Sequence, residues 1–125
     1  MPIVNLRFER GVFSAKEVGD IVVEDARVWA EQLRACAEVS LTPVVALVDA
    51  CDVGFVTAQA REVFAEASRT PNVKVISVAV SDVLAMDAAH TIGMRGEPGR
   101  TYTFVTLAEA RHFATLAANG ASSHG

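Results

Sequence analysis

Pro43-Val44-Val45-Ala46-Leu47-Val48-Asp49 is the stretch on which the reading of this chain turns. A continuous apolar run bounded by proline and aspartate suits a strand covered on both faces. The second such run, Val73 to Val80, is rich in β-branched residues and reads the same way. Between them, Thr57 has the form of an N-cap. The helix it opens buries Ala60, Val63, Phe64 and Ala67, exposes Glu62, Glu66 and Arg69, and ends at Pro71-Asn72. Two buried strands joined by a helix predict parallel pairing.

Upstream, Val4, Leu6 and Phe8 alternate with Asn5, Arg7 and Glu9, a half-buried strand. Val12 to Val18 reads as a second strand, so a hairpin turning at Glu9-Arg10-Gly11 opens the chain. A helix follows, beginning between Asp20 and Glu24. Its apolar stripe is Val22, Ala26, Trp29 and Leu33, with Ala30 and Ala37 alongside. Downstream, Ser81 or Asp82 caps a short helix reaching Gly93. A polar, glycine-rich connection spans Gly93 to Arg100, and Thr101 to Val105 is the last strand. Thr106-Leu107-Ala108-Glu109 has the capping-box form and opens a helix burying Ala110, Phe113 and Leu116 or Ala117. The expectation is an α/β fold with a mixed sheet of about five strands, an N-terminal hairpin and four helices.

The 125 residues, 51% of them hydrophobic, suffice for one domain with its own core. That domain is expected over 1–119, with 120–125 (Gly-Ala-Ser-Ser-His-Gly) as a disordered tail. The net charge is −4 and no run of Lys or Arg occurs, which argues against nucleic acid and against anionic membrane surfaces. No apolar stretch approaches the roughly 20 residues of a spanning helix. The start, Ile3-Val4-Asn5-Leu6-Arg7, does not read as a signal peptide. Cys36 and Cys51 accordingly read as reduced thiols in the cytoplasm.

The order of these elements resembles the STAS-like fold (sulfate transporter and anti-sigma factor antagonist), and within it the short, stand-alone bacterial SpoIIAA-like proteins. Pro43 to Asp49 looks like their central strand. Val53-x-Phe55-Val56 looks like the approach to their second helix. Arg61, Phe64, Thr101-Tyr102-Thr103-Phe104 and Glu109-Ala110 also fit, so the likeness covers nearly the whole chain. In phosphorylation-regulated members the second helix begins Asp-Ser-Ser/Thr-Gly. In register, Thr57 falls at that Asp, Ala58 at the phosphorylated Ser and Ala60 at the Gly. Alanine has no hydroxyl, so the serine phospho-switch is not expected here.

Ligands of open α/β sheets bind beyond the C-terminal strand ends. There the expected loop Asp49-Ala50-Cys51-Asp52-Val53-Gly54 precedes a helix N-terminus, which makes Asp49, Asp52 and Thr57 the candidate ligand-binding residues. Two carboxylates oppose an anion, and the plainer reading is a cap and a turn. Asp87 and His90, with His112 on another helix, lack the spacing of a zinc site, so no metal and no cofactor are expected. The connection from Gly93 to Arg100 is not a P-loop and is expected to be a mobile surface segment, whose Arg95 and Arg100 offer charge to an acidic ligand.

On the short helix, Leu84, Ala88 and Ile92 form one apolar ridge. Val83, Met86, His90 and Met94 form a second, either packed within the chain or serving as an interface, including one between two copies in a homodimer. The resemblance implies a non-enzymatic regulatory or binding module. Such a module acts by protein contact or by holding a small apolar ligand between helices and sheet, as the likeness of SpoIIAA-like folds to Sec14-like lipid carriers suggests. The alternative is a small thiol enzyme using Cys51 with His90 or His112 as base.

Overall fold

The computed structural model describes residues 3–81 and 83–123, with 83–85 and 121–123 as backbone only. Five strands and four helices follow in the order β1 (Ile3–Glu9), β2 (Val12–Ile21), α1 (Val23–Val39), β3 (Val44–Val56), α2 (Ala58–Ala67), β4 (Val73–Ala79), α3 (Val83–Arg95), β5 (Thr101–Phe104) and α4 (Leu107–Ser123). The sheet runs β1-β2-β3-β4-β5, antiparallel between β1 and β2 and parallel thereafter. The mixed sheet, the opening hairpin and the four helices are those the sequence predicts. Among the described residues no helix is long and apolar enough to cross a membrane.

Successive crossovers step one way across the sheet, and right-handed crossovers then stack on one face. α1, α2 and α3 do so, packing Trp29, Leu33, Phe64 and Ala89 against Phe13, Ala46, Val48 and Ile76. α4 returns to the other face and buries Ala110 and Ala114 against Val45, Leu47, Val75 and Ala79. Ser77, buried in β4, donates its hydroxyl to the Ala110 carbonyl at 2.8 Å and fixes α4 there.

The hairpin turns at Arg10 and Gly11, both with positive φ (52° and 81°), as a two-residue primed turn requires. A bulge between Val4 and Arg7, where Asn5 has φ 55°, adds one residue to β1. It places Val4, opposite Lys16, on the other face from Phe8, opposite Phe13. The alternation Val4-Leu6-Phe8 expected from sequence is therefore interrupted.

Two further bulges correct the reading of β3. Its pairing with β2 slips between Lys16 and Val18 and again between Gly19 and Ile21. On the face under α1, α2 and α3 the buried residues consequently run Val44, Ala46, Val48, Ala50, Val53, Val56, with two intervals of three. The expected loop Asp49 to Gly54 is strand, and β2 likewise extends past Val18 to Ile21.

α1 starts at Val23. Val22 is its N-cap and is 41% exposed rather than part of the buried stripe. Asp25 Oδ2 accepts the Val22 N–H at 3.0 Å. At the other end, Asn72, with φ 67°, donates from Nδ2 to the carbonyls of Ala37, Ser40 and Thr42. α4 carries the expected cap: Thr106 Oγ1 accepts from the Glu109 N–H and donates to its carboxylate. The tail expected from Gly120 continues this helix in backbone to Ser123, while His124 and Gly125 lie outside the described residues.

The segment expected to be a mobile connection is tied to the end of α2. Ser68, fully buried, donates to the Ala65 carbonyl and accepts the Glu97 N–H at 2.8 Å. Arg100 donates to the carbonyls of Ser68 and Thr70, and Arg69 to that of Arg95. Arg95 pairs with Glu62 at 2.6 Å. Arg95 and Arg100 are thus engaged within the chain rather than held out for an acidic ligand.

Candidate functional site

The residues singled out at the expected ligand loop serve local structure. Asp49 lies in β3 and accepts the Cys51 N–H at 3.2 Å. Asp52 pairs with Lys16 at 3.2 Å. Thr57 caps α2, its Oγ1 accepting the Ala60 N–H at 3.1 Å. The structure brings Asp49 and Asp52 together around Lys16 and Cys51.

Cys51 is half-buried. Burial, a hydrogen bond to Asp49 and the charges of Asp49 and Asp52 push its thiol above the usual range, against a smaller opposing pull from Lys16. A nucleophilic cysteine needs the opposite environment. His90, one proposed base, is exposed and hydrogen-bonded to Thr103 Oγ1 at 3.2 Å. Among the described residues no group of three His, Cys, Asp or Glu side chains could hold a metal ion.

Of the second ridge on α3, Met86 packs half-buried against the core, whereas Met94 is 86% exposed. Val83 and Leu84 lie outside the described side chains, as does Asp82 altogether. His90 and Met94 border a surface groove of about 540 Å³ between α3 and β5, with Tyr102 on its far side. Ser81, an expected cap of α3, gives its hydroxyl to the Cys51 carbonyl at 2.6 Å.

The position the sequence reading passed over is Glu17. In β2, Phe13, Ala15 and Glu17 follow the period of two into the first core, and Glu17 is only 6% exposed. Burial and the neighbouring Asp25 raise its carboxyl to about 7. Asp25 is the residue that closes the N-terminus of α1, so the helix start sets part of the field at Glu17. The signal was present in sequence, as a carboxylate on the buried register of an otherwise apolar strand face.

Glu17 lines a cavity of about 60 Å³ beneath the helix layer. Trp29 from α1, Phe64 from α2 and Ala88, Ala89 and Ile92 from α3 form its roof and sides. Val48, Ala50, Val53 and Val56 from β3, with Ile76 and Val78 from β4, form its floor. The bulges in β3 bring Val53 and Val56 back to this side. Trp29 is held edge-on to Phe64 at 5.4 Å and tilted against Phe13 at 6.1 Å. Only two described buried side-chain polar atoms lack a hydrogen-bond partner, Glu17 Oε2 and Trp29 Nε1, and both belong to residues lining this cavity. Buried polar groups are ordinarily satisfied, and leaving one unmet costs about 1–3 kcal/mol.

The fold thus defines an open, mixed α/β sheet with three helices on one face and a pocket between them. No known family profile matches the chain, and no curated protein is significantly similar to it. Its architecture is shared with an uncharacterized protein of the DUF3478 family with a SpoIIAA-like fold from Shewanella loihica PV-4. The two are 18% identical, with a TM-score of 0.62 over 90% of this chain and 91% of that one. It is also shared with part of the murine solute carrier 26 family member A9 anion transporter, at 16% identity and a TM-score of 0.56. That match covers 85% of this chain but only 18% of the transporter. The chain has a STAS-like, SpoIIAA-like fold.

Proposed function

We propose that this chain is a non-enzymatic binding module that holds a small apolar ligand between its helix layer and its sheet. The observation that carries the reading is the apolar cavity beneath the helix layer, lined by Trp29, Phe64, Ala89 and Ile92 and by the buried Glu17. A water needs roughly 10–15 Å³ of such space, so the cavity has room for more than one atom of a guest. The high thiol pKa of Cys51 weighs against the enzyme alternative. Ala58, at the start of α2, offers no hydroxyl for a phospho-switch. Two free cysteines suit a reducing, cytoplasmic setting. A role in protein contact, including a homodimer, would use the flank of α3, where Met94 stands exposed beside the groove to β5.

The test is native mass spectrometry of the gently purified protein beside an Ala89→Leu variant that fills the cavity. The expected result is a small-molecule adduct on the parent and a bare chain in the variant. A bare parent chain, with no thermal shift in n-pentane, overturns the reading.

A further inference from the structure

We infer that the outer edge of β5 docks a second copy of this chain, the two β5 strands pairing antiparallel about Thr103 into one continuous sheet. This rests on the homodimer reading above and names the strand and register that such a dimer uses.

β5 closes one side of the sheet and β1 the other. The Ile76 N–H donates to the Arg100 carbonyl at 2.8 Å, and the Val80 N–H to that of Phe104 at 2.9 Å. Backbone groups along a strand turn to alternate sides, so Arg100, Tyr102 and Phe104 serve β4 while the N–H and C=O of Thr101 and Thr103 point outward. An unpaired ladder of this kind is a template for another strand, and proteins ordinarily blunt it with charge or a bulge. β1 is blunted by the bulge at Asn5 and by the charged Arg7 and Glu9. β5, Thr101-Tyr102-Thr103-Phe104, has no charged residue, and its pairing with β4 is regular. Exposed apolar side chains surround it. Met94 of α3 stands across the groove, Tyr102 and Val105 lie on the strand segment itself, and Leu116 follows Phe113 by one turn of α4. These flanks matter because four residues of ladder alone hold little.

The sequence of β5 selects a second copy as the occupant. A twofold axis beside Thr103 lets its N–H and C=O exchange two bonds with Thr103 of the other copy. Tyr102 of each copy then lies opposite Phe104 of the other. Both rings are on the α4 face, stacked on Phe113 at 4.9 and 5.3 Å. The threonines are on the α3 face, where Thr103 Oγ1 meets His90 at 3.2 Å. Aromatic thus meets aromatic and Thr meets Thr, both favourable cross-strand pairs.

The test is size exclusion with light scattering on the parent, Thr103→Pro and Thr103→Val, diluted from millimolar protein, with circular dichroism to check folding. Proline at 103 removes an N–H that the chain's own sheet does not use, so the fold should tolerate it while pairing at the axis is lost. Valine keeps that N–H. The expected result is a dimer for the parent and for Thr103→Val, and a folded monomer for Thr103→Pro. The Thr103 amide of the parent should also exchange with solvent at least ~10-fold more slowly in the dimer than after dilution to monomer. A dimer that survives Thr103→Pro overturns the β5 assignment and leaves the homodimer reading standing. A monomeric parent overturns both and leaves the edge to a strand of another protein. If Thr103→Pro does not fold, amide exchange decides, and a Thr103 amide equally fast in dimer and monomer overturns the β5 assignment.

Discussion

Glu17 is where a single residue departs most from what folding alone would select. A carboxylate in an apolar cavity is held toward its protonated form, which links it to stability. Its pKa rises from 4.5 to about 7 on folding, so between those values the folded chain binds more protons than the unfolded one. Its contribution is therefore full below pH 4.5 and is lost as pH rises to 7, an effect of about 3 kcal/mol. Urea unfolding of the parent and of Glu17→Gln across pH 4 to 8 checks this. The variant should gain on the parent through that window and hold a constant advantage above it. A flat difference curve would mean that Glu17 is solvated. Gly96 is constrained by sterics: a Cβ there would overlap Ser68 Oγ and approach the Ala65 carbonyl at 2.9 Å. Gly96→Ala should cost about 1–3 kcal/mol in chemical denaturation, through loss of the Ser68 hydrogen bonds. Cys51, with its raised thiol pKa, should react with Ellman's reagent at pH 7 more slowly than free cysteine does.

α3 is the element with a divided role. Ala88, Ala89 and Met86 turn inward, and Met94 turns out beside His90. If this flank joins two copies, Met94→Glu should convert a dimer into a folded monomer in size exclusion with light scattering. An unchanged dimer removes α3 from the interface, and a monomeric parent removes the dimer. Met86 is unsuited to this test because a charge there would enter the core. The helix ends show how distant residues finish an element. Asn72 closes α1 across 35 positions of sequence, and Asp25 closes its start from within.

For the whole molecule, Trp29 joins α1, α2 and the sheet in one cluster, so the helix layer and the sheet should unfold together. Indole fluorescence and far-UV circular dichroism are expected to give coincident denaturation curves. An earlier fluorescence transition would show that the helix layer opens first, exposing the cavity while the sheet persists. The asymmetry of the fold bears on this. Three helices cover one face, α4 alone the other, and the cavity lies on the crowded side.

Apolar periodicity alone determined much of this protein. Ala26, Trp29, Leu33 and Ala37 on α1 and the run Val44 to Val48 fixed helix, strand and buried faces, because local pattern and burial agree there. Thr57 and Thr106 were legible as caps because capping is local chemistry. The continuation of β3 through Asp49 to Val56 was not legible. Two bulges break the period of two, and their cause is register against β2, which only the assembled sheet imposes. The same holds for Arg95 and Arg100, whose partners come from α2 and its C-terminal end, and for the candidate site. Sequence places Glu17 on a buried face. Only the packing of α1, α2 and α3 over those bulged strands makes Glu17 and Trp29 line one cavity, because proximity across elements is decided by tertiary contact and not by spacing along the chain.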